Sequence, residues 1–221
     1  MTTLTELHAE ISTELRRGSA FDSLIPEKTK DAIKTIEQMH TFMHMDKLAT
    51  VNITSGDRVI TLPTGLKRIE GWRLLLTGST STVFKYLNKV DYYDVSKLEA
   101  KIPNAFYLNG KETAYLDNIP GQDYVSEMAY TGFTVVGDDL SAELTIVQDM
   151  KSLVKAAAVM LFAPTLRDPN LITLYTPQYN TLLKAAIDSD VEAREGAASE
   201  SIQYGWEFRN RVNLDENGNP I

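Results

Sequence analysis

The chain opens with two segments in which hydrophobic residues recur at helical spacing. In "TTLTELHAEISTELRRG", Thr3 followed by Glu6 is the pattern of a capping box, and Gly18 indicates a C-terminal stop. The apolar face of this segment carries Leu4, Leu7, Ile11 and Leu15. The second segment begins at Pro26, a favoured first-turn residue, and runs through "EKTKDAIKTIEQMHTFMHM". Its stripe is Ile33, Ile36, Met39 or His40, and Met43. Two amphipathic helices are therefore predicted.

At about Thr50 the hydrophobic period changes to that of strands. "TVNITSGDRVITLP" alternates around a Ser55-Gly56-Asp57 turn, and "LKRIEGWRLLLTG" follows it. In "NAFYLNGKETAYL", a two-residue turn at Asn109-Gly110 would place Leu108 opposite Lys111 and Phe106 opposite Thr113. Further strands are expected at 123–132 and near 133–137. The region 48–137 is thus predicted to be a mostly antiparallel β unit of five to seven strands.

Helical periodicity returns after Asp139. A helix apolar on much of its surface, as expected of a buried one, is ended by "RDPN" at 167–170, and another starts near Pro177. The final stretch from 201 loses this periodicity. The predicted class is α+β: helices of 1–47 and 138–200 form a helical bundle, 48–137 is an inserted β domain, and 201–221 is an extended C-terminal arm.

Composition narrows the possible functions. A net charge of −8 argues against a protein that grips nucleic-acid phosphates, but it allows an acidic wall past which DNA slides. The chain has no cysteine, which excludes disulfides and thiolate metal sites and fits synthesis in a reducing cytoplasm. No apolar run is long enough for a membrane span, and the N-terminus lacks the pattern of a signal peptide.

Candidate catalytic motifs are weak. His40 and His44 have a spacing that allows a shared metal on a helix, but no third ligand accompanies them. The small polar run "TGSTST" (77–82) lacks the lysine and glycine spacing of a phosphate loop. The neighbours Asp138 and Asp139 are typical of a turn followed by a helix cap, and Asp188, Asp190 and Glu192 are typical of a solvated helix face. We therefore expect no catalytic residues, no cofactor and no metal.

The arm contains large aromatic side chains, whose exposure to water is unfavourable. Tyr204, Trp206 and Phe208 stand with Arg209 and Arg211 in an otherwise polar segment. Two interpretations remain open: the arm folds back on its own domain, or it inserts into a partner, where Trp and Arg are frequent anchors.

The order of several segments resembles the head-to-tail adaptor (connector) proteins of tailed bacteriophages. These segments are "IPEKTKDAIKTIEQMHTFMHM", "ITLPTGLKRIEGWRL", "FKYLNKVDYYDVSKL" before "IPNAFYLNGKETAYLDNIPG", and "YTPQYNTLLKAAIDSDVEAREG". Together they cover roughly residues 24 to 196.

The resemblance implies a structural, non-enzymatic virion protein. It implies a homo-oligomeric ring, usually twelvefold, that joins the portal protein to a tail or nozzle protein in the neck of the particle. DNA would pass through the channel of this ring without sequence-specific binding. The C-terminal segment would reach the portal, so that Tyr204, Trp206, Phe208, Arg209 and Arg211 would bind the portal or a neighbouring subunit.

Two other interpretations are left open by the sequence. One is a different neck or tail-tube virion protein. The other is a small hydrolase with a cleft in the β domain, in which Asp138 or Asp139 would be essential.

Overall fold

A computed structural model describes residues 3–16, 18–77, 82–91, 100–137, 139, 141 and 144–200. The chain divides into two compact units, and the helical unit comprises residues 1–45 and 133–197. The β unit contains residues 46–132. Helices and mainly antiparallel sheets together confirm the α+β class. The predicted arm, 201–221, lies outside the described residues.

The helical unit begins with the two predicted amphipathic helices. Helix α1 spans Leu4–Leu15 and starts with the predicted capping box between Thr3 and Glu6. It ends because Arg16 adopts a left-handed conformation (φ 50°), so the predicted stop at Gly18 is wrong. A 3₁₀ helix, Gly18–Leu24, leads into α2, Ile25–Met39, whose first turn contains Pro26 as predicted.

Three helices follow the β unit: α3 (Thr145–Asp149), α4 (Lys151–Leu166) and α5 (Pro169–Glu200). Helix α4 ends before "RDPN" as predicted, with Arg167 in the left-handed region. The predicted start of α5 near Pro177 is wrong, because Asp168 accepts a hydrogen bond from the Asn170 N–H (3.1 Å) and Pro169 follows it as a first-turn residue. Pro177 therefore lies inside the helix.

The core of the helical unit is built from all of these helices. Helix α4 contributes most, and its buried side chains are Leu153, Val154, Ala156, Ala157, Ala158, Val159, Phe162 and Ala163. Tyr175 attaches α5 to α1 by donating a hydrogen bond to the Glu14 carboxylate. Burial and this hydrogen bond raise the pKa of the Tyr175 hydroxyl to about 12.

The β unit contains ten strands among its described residues. They are β1 (Asp46–Ile53), β2 (Val59–Thr61), β3 (Leu66–Thr77), β4 (Thr82–Tyr86), β5 (Asn88–Lys89), β6 (Ala100–Lys101), β7 (Ala105–Asn109), β8 (Thr113–Leu116), β9 (Ile119–Pro120) and β10 (Tyr124–Gly132). One sheet has the order β1-β10-β3-β4 and the second has the order β2-β8-β7-β5, while β6 pairs with β9 alone. The predicted number of five to seven is too low because three strands have only two residues, too few for alternation to reveal.

Side chains from both four-stranded sheets form the core of the β unit. Trp72 of β3 packs edge-on against Phe106 of β7, with ring centroids 4.9 Å apart. The Trp72 Nε1–H donates to Ser126 Oγ (2.9 Å), and that hydroxyl donates to the Val51 carbonyl oxygen (2.6 Å). This chain of hydrogen bonds joins β3, β10 and β1 within a largely apolar interior.

The hairpin of β7 and β8 has a different register from the predicted one. Asn109 lies opposite Thr113, and Leu108 lies opposite Ala114. The connection is therefore Gly110-Lys111-Glu112, three residues long, with Gly110 at φ 77°. The Thr113 hydroxyl donates to the Asn109 carbonyl oxygen (2.7 Å), which favours this longer loop over the two-residue turn.

The predicted strand near 133–137 is also wrong. These residues have no strand pairing, and Phe133 and Val136 pack against the core of the helical unit. Their apolar side chains are explained by this packing instead of by a sheet.

Replacing Gly110 with alanine should lower the free energy of unfolding by about 1–2 kcal/mol, the cost of a left-handed alanine. A β-carbon at Gly110 meets no atom within 4 Å, so the effect would be purely conformational. Urea unfolding measures it. Gly121→Ala is the matched control, because its β-carbon also meets nothing within 4 Å and its φ is not in the left-handed region. Equal losses in both variants would contradict the loop geometry.

Candidate functional site

The segment that leaves the helical unit, residues 40–45, is held by two carboxylates of that unit. Helix α2 ends at Met39, and His40 is extended (φ −145°, ψ 154°). The prediction that α2 continues to Met43 is therefore wrong. His40 and His44 do not share a helix face, and each pairs with a different carboxylate.

Glu37 is fully buried near the end of α2 and accepts hydrogen bonds from both sides of the β insertion. His44 Nε2 lies 2.9 Å from its carboxylate before the chain enters β1. After β10, the Thr134 backbone N–H (2.9 Å) and hydroxyl (2.5 Å) both donate to it. One side chain thus joins the segment that leaves the helical unit to the segment that returns.

The pKa of the Glu37 carboxyl reflects this environment. Burial alone would raise its pKa, but the hydrogen bonds from His44 and Thr134 outweigh burial and hold the pKa below its ordinary value. The carboxylate is therefore stabilised in its charged form inside the unit.

Asp190 of α5 binds the same segment from another helix. It accepts hydrogen bonds from the Met43 backbone N–H (2.6 Å) and from Arg194 Nε (2.9 Å), and His40 Nε2 lies 3.0 Å away. Arg194 also donates to the Thr41 carbonyl oxygen (3.1 Å). Burial would raise the pKa of the Asp190 carboxyl, but these partners lower it overall.

Phe42 occupies the centre of the segment. Its side chain is fully buried, with the His40 ring edge-on at 4.7 Å and the His44 ring stacked at 5.7 Å between centroids. An apolar anchor with a carboxylate-bound histidine on each side fixes the conformation of residues 40–44. The described residues contain no group of three or more His, Asp or Glu side chains placed to hold a metal ion.

A cleft of about 710 Å³ lies beside this segment within the helical unit. Met43 and Asp190 border it, and Met150 and Leu153 line it from the start of α4. Small residues of α5 form its other wall: Ala185, Ala186, Ser189 and Ala193. Met43 remains 47% exposed at the border, and polar residues such as Gln148 and Asp149 complete the lining.

Helix α5 is covered along one face, where several side chains are partly buried against the core of the helical unit: Leu171, Tyr179, Leu182, Ala186 and Ile187. Among its side chains that the structure describes (169–196), those of Tyr175, Leu183 and Asp190 are buried. Their spacing places them on one face of the helix. The opposite face carries the exposed acids Asp188, Glu192 and Glu195.

The structure brings together residues that the sequence left apart. Glu37 was not identified as a functional candidate, because it stands in no motif. Asp190 was predicted, with Asp188 and Glu192, to lie on a solvated helix face. This prediction is wrong for Asp190, which is buried, and is confirmed for the exposed Asp188 and Glu192. The one available signal was an acid among the apolar positions of each helix stripe. Of the hydrolase candidates, Asp139 is exposed and accepts hydrogen bonds from the Ser141 N–H (2.9 Å) and hydroxyl (2.7 Å), an arrangement typical of a turn.

Several predicted candidates fall in parts of the chain that the structure does not describe. They are Asp138, residues 78–81 of "TGSTST", and the arm residues Tyr204, Trp206, Phe208, Arg209 and Arg211. In the described residues, no helix has the length and apolar character needed to cross a bilayer.

Asp190→Asn should lower the free energy of unfolding of the helical unit by about 2–4 kcal/mol, because it weakens three polar contacts at a buried site. Thermal unfolding followed by circular dichroism measures this loss. Asp188→Asn makes the same chemical change two residues away on the exposed face and should leave the stability within about 0.5 kcal/mol. Similar losses in both variants would argue against an anchoring role for Asp190.

The stability of the helical unit should fall as pH decreases below about 4.3, the ordinary value for Glu. A carboxyl with a lowered folded-state pKa contributes stability above its unfolded pKa and loses it as pH falls through the folded pKa. Glu37→Gln, which cannot titrate, should show a shallower decrease over this range than the parent chain. Denaturant unfolding at a series of pH values tests this, and parallel curves would show that Glu37 does not contribute.

A comparison with curated proteins found no match. One matching solved structure is described as "Neck of empty GTA particle computed with C6 symmetry"; it is 19% identical, with 70% of this chain and 76% of that chain covered and a TM-score of 0.26. So loose a superposition carries no argument about function.

A family model described as SU10 adaptor protein matches residues 2–203. This range contains both units and extends past the end of α5. The match confirms the resemblance to head-to-tail adaptors that the order of sequence segments indicated. This chain belongs to the SU10 adaptor protein family.

Proposed function

We propose that this structural adaptor protein forms a ring that joins the portal of a tailed-phage capsid to the tail or nozzle and lines the channel for DNA. The observation that carries the proposal is the family match over residues 2–203. The ring, its usual twelvefold symmetry and its place in the neck of the virion are inferred from the resemblance of the sequence segments to head-to-tail adaptors. Synthesis in the host cytoplasm and the absence of enzymatic activity belong to the same proposal.

The geometry of α5 supports a role in assembly. Its 32 residues extend for about 48 Å. A helix in water is stabilised mainly by packing of its apolar face, yet α5 buries three described side chains within its own unit. A neighbouring subunit packed alongside would cover apolar residues that are now exposed, such as Leu174 and Val191.

The cleft beside α5 supports the same role. Its apolar residues, such as Met150 and Leu153, and the small residues of its α5 wall allow close approach of a partner's side chain. The segment 40–44 at its border is held by Glu37 and Asp190, so the surface is formed before the partner arrives. A preformed surface reduces the entropy lost on binding.

The acidic face of α5 fits a DNA channel. Asp188, Glu192 and Glu195 lie opposite the buried stripe, where a ring could direct them toward its lumen. Carboxylates repel phosphates, so DNA would pass without binding. This distribution of charge also agrees with the net charge of −8.

The arm is the proposed contact with the portal or a neighbouring subunit. Tyr204, Trp206 and Phe208 supply apolar area, and Arg209 and Arg211 supply charge. The chain as a whole is acidic, so an arginine pair in the arm is well suited to an acidic docking surface.

The proposal is tested by mixing the purified chain with the intact portal ring of the same virus and measuring the mass of the complex by native mass spectrometry. The expected result is one chain per portal subunit. Complexes of this stoichiometry imaged by electron microscopy should show the adaptor as a closed ring.

Two variants make the test specific. Ala186→Glu places a charge in the cleft wall and should reduce assembly, whereas Glu195→Gln on the exposed face of α5 should not. Folding of each variant is checked by circular dichroism. Failure of the parent chain to bind an intact portal ring would overturn the adaptor assignment to this partner.

A further inference from the structure

The two main sheets of the β unit leave edge strands beside one groove. In the described part of the chain, β1 has β10 as its only neighbour and β2 has β8 as its only neighbour. A groove of about 410 Å³ runs between β1 and β2 along the segment that connects them. Its lining is mixed. The apolar members are Ala49, Val51, Val59, Ile60, Leu62 and Pro63, and the polar members are Thr50, Asn52, Thr54, Asp57 and Thr61.

Strand β1 has the properties of an acceptor for another strand. It is eight residues long and contains no proline. Its side chains alternate: Leu48, Thr50 and Asn52 are exposed, whereas Ala49 and Val51 are half-buried and pack against the core. An edge of this kind carries backbone N–H and C=O groups that can pair with an incoming extended segment.

The arm contains a segment with the matching pattern. Apolar Ile202, Tyr204, Trp206 and Phe208 alternate with Gln203, Gly205, Glu207 and Arg209. This period of two over eight residues, rich in aromatic side chains, is the pattern of a strand with one buried face.

We propose that residues 202–209 of one subunit add as a strand to β1 of a second copy of this chain, with their apolar side chains in the groove between β1 and β2. The proposal rests on the proposed ring, and it gives the arm a defined receptor. Each subunit donates one strand and accepts one, so a closed ring leaves no β1 edge unpaired.

Side-chain complementarity favours an antiparallel register with Ile202 opposite Ile53. Trp206 then lies opposite Ala49, where the small side chain leaves room for the indole. Arg209 lies opposite Asp46, an exposed acid at the other end of β1, and opposite charges directly across two strands attract. Antiparallel pairing is also the commoner arrangement in sheets.

Disulfide cross-linking in the full-length chain tests this register. Because the chain has no cysteine, every disulfide joins two introduced thiols, and the single variants measure any pairing between identical positions. Thr50→Cys combined with Gly205→Cys places the two thiols directly across the proposed strand pair. Oxidation of the assembled chain should then give a ladder of covalent oligomers on denaturing gels, up to the size of the ring.

The matched control places the acceptor cysteine on a different edge strand of the β unit. Lys89→Cys combined with Gly205→Cys uses β5, the far edge of the second sheet. Its yield of covalent oligomers should be at least about tenfold lower. The single variants should give no ladder beyond dimers.

A second pair of variants tests the groove itself. Val59 is 41% exposed on β2 and lines the groove, so Val59→Glu, added to the Thr50/Gly205 cysteine pair, should lower the ladder yield by about tenfold or more. Val125→Glu introduces the same charge at a 47% exposed position of β10 outside the groove lining, and it should leave the yield unchanged.

Each outcome decides the proposal. A disulfide confined to monomers would place the arm in its own groove, and equal ladders for Thr50 and Lys89 would show unspecific contact; both overturn strand exchange. Oligomers of correct mass without a ladder overturn it while leaving the ring intact. Absence of any oligomer by native mass spectrometry, with or without the portal, would instead show that the proposed function itself has failed.

Discussion

The two-unit architecture depends on the hydrogen bonds that the buried Glu37 carboxylate makes. A chain inserted into a helical unit must leave and return without disturbing the helices, and here both passages are hydrogen-bonded to one side chain through His44 and Thr134. The cost of burying a charge is offset because the Thr134 N–H and hydroxyl donate to the carboxylate and His44 Nε2 lies within hydrogen-bonding distance. Asp190 adds an independent attachment from α5. Strands β1 and β10 are adjacent, with Asp46 opposite Thr131. The chain therefore enters and leaves the β unit at neighbouring positions of one sheet.

Much of the fold could be predicted from the sequence because local patterns were strong. The capping box of α1, the first turn of α2, the strand over β10 and the end of α4 all follow from side chains within a few residues of each feature. Local patterns failed where tertiary contacts decide the structure. The apolar residues of 133–137 have the composition of a strand, but they pack on helices. The predicted apolar stripe of α2 includes Met39 or His40, yet the Met39 side chain, at the last residue of the helix, is 65% exposed.

The candidate site was less predictable than the fold for a physical reason. Glu37 and Asp190 act through partners 97 and 147 residues away in sequence, and no spacing rule relates such positions. The histidine pair illustrates the difficulty. Its four-residue spacing implies a shared helix face only if the helix continues, and the extended backbone at His40 breaks that condition. The family resemblance succeeded where spacing failed, because it depends on the order of many weak segments and not on one motif.

The interrupted helical unit also has a consequence for how the chain folds as it is synthesised. All described strands of the β unit have left the ribosome once residue 132 has emerged, so they can fold while the helical unit still lacks more than half of its sequence. Helices α1 and α2 must then wait, with their apolar stripes uncovered, until α4 supplies the centre of their core. The contacts that complete the unit join residues far apart in sequence, which slows their formation. During synthesis, the β unit is therefore folded while α1 and α2 still lack their packing partners. These two helices are the part of the chain that most needs a chaperone.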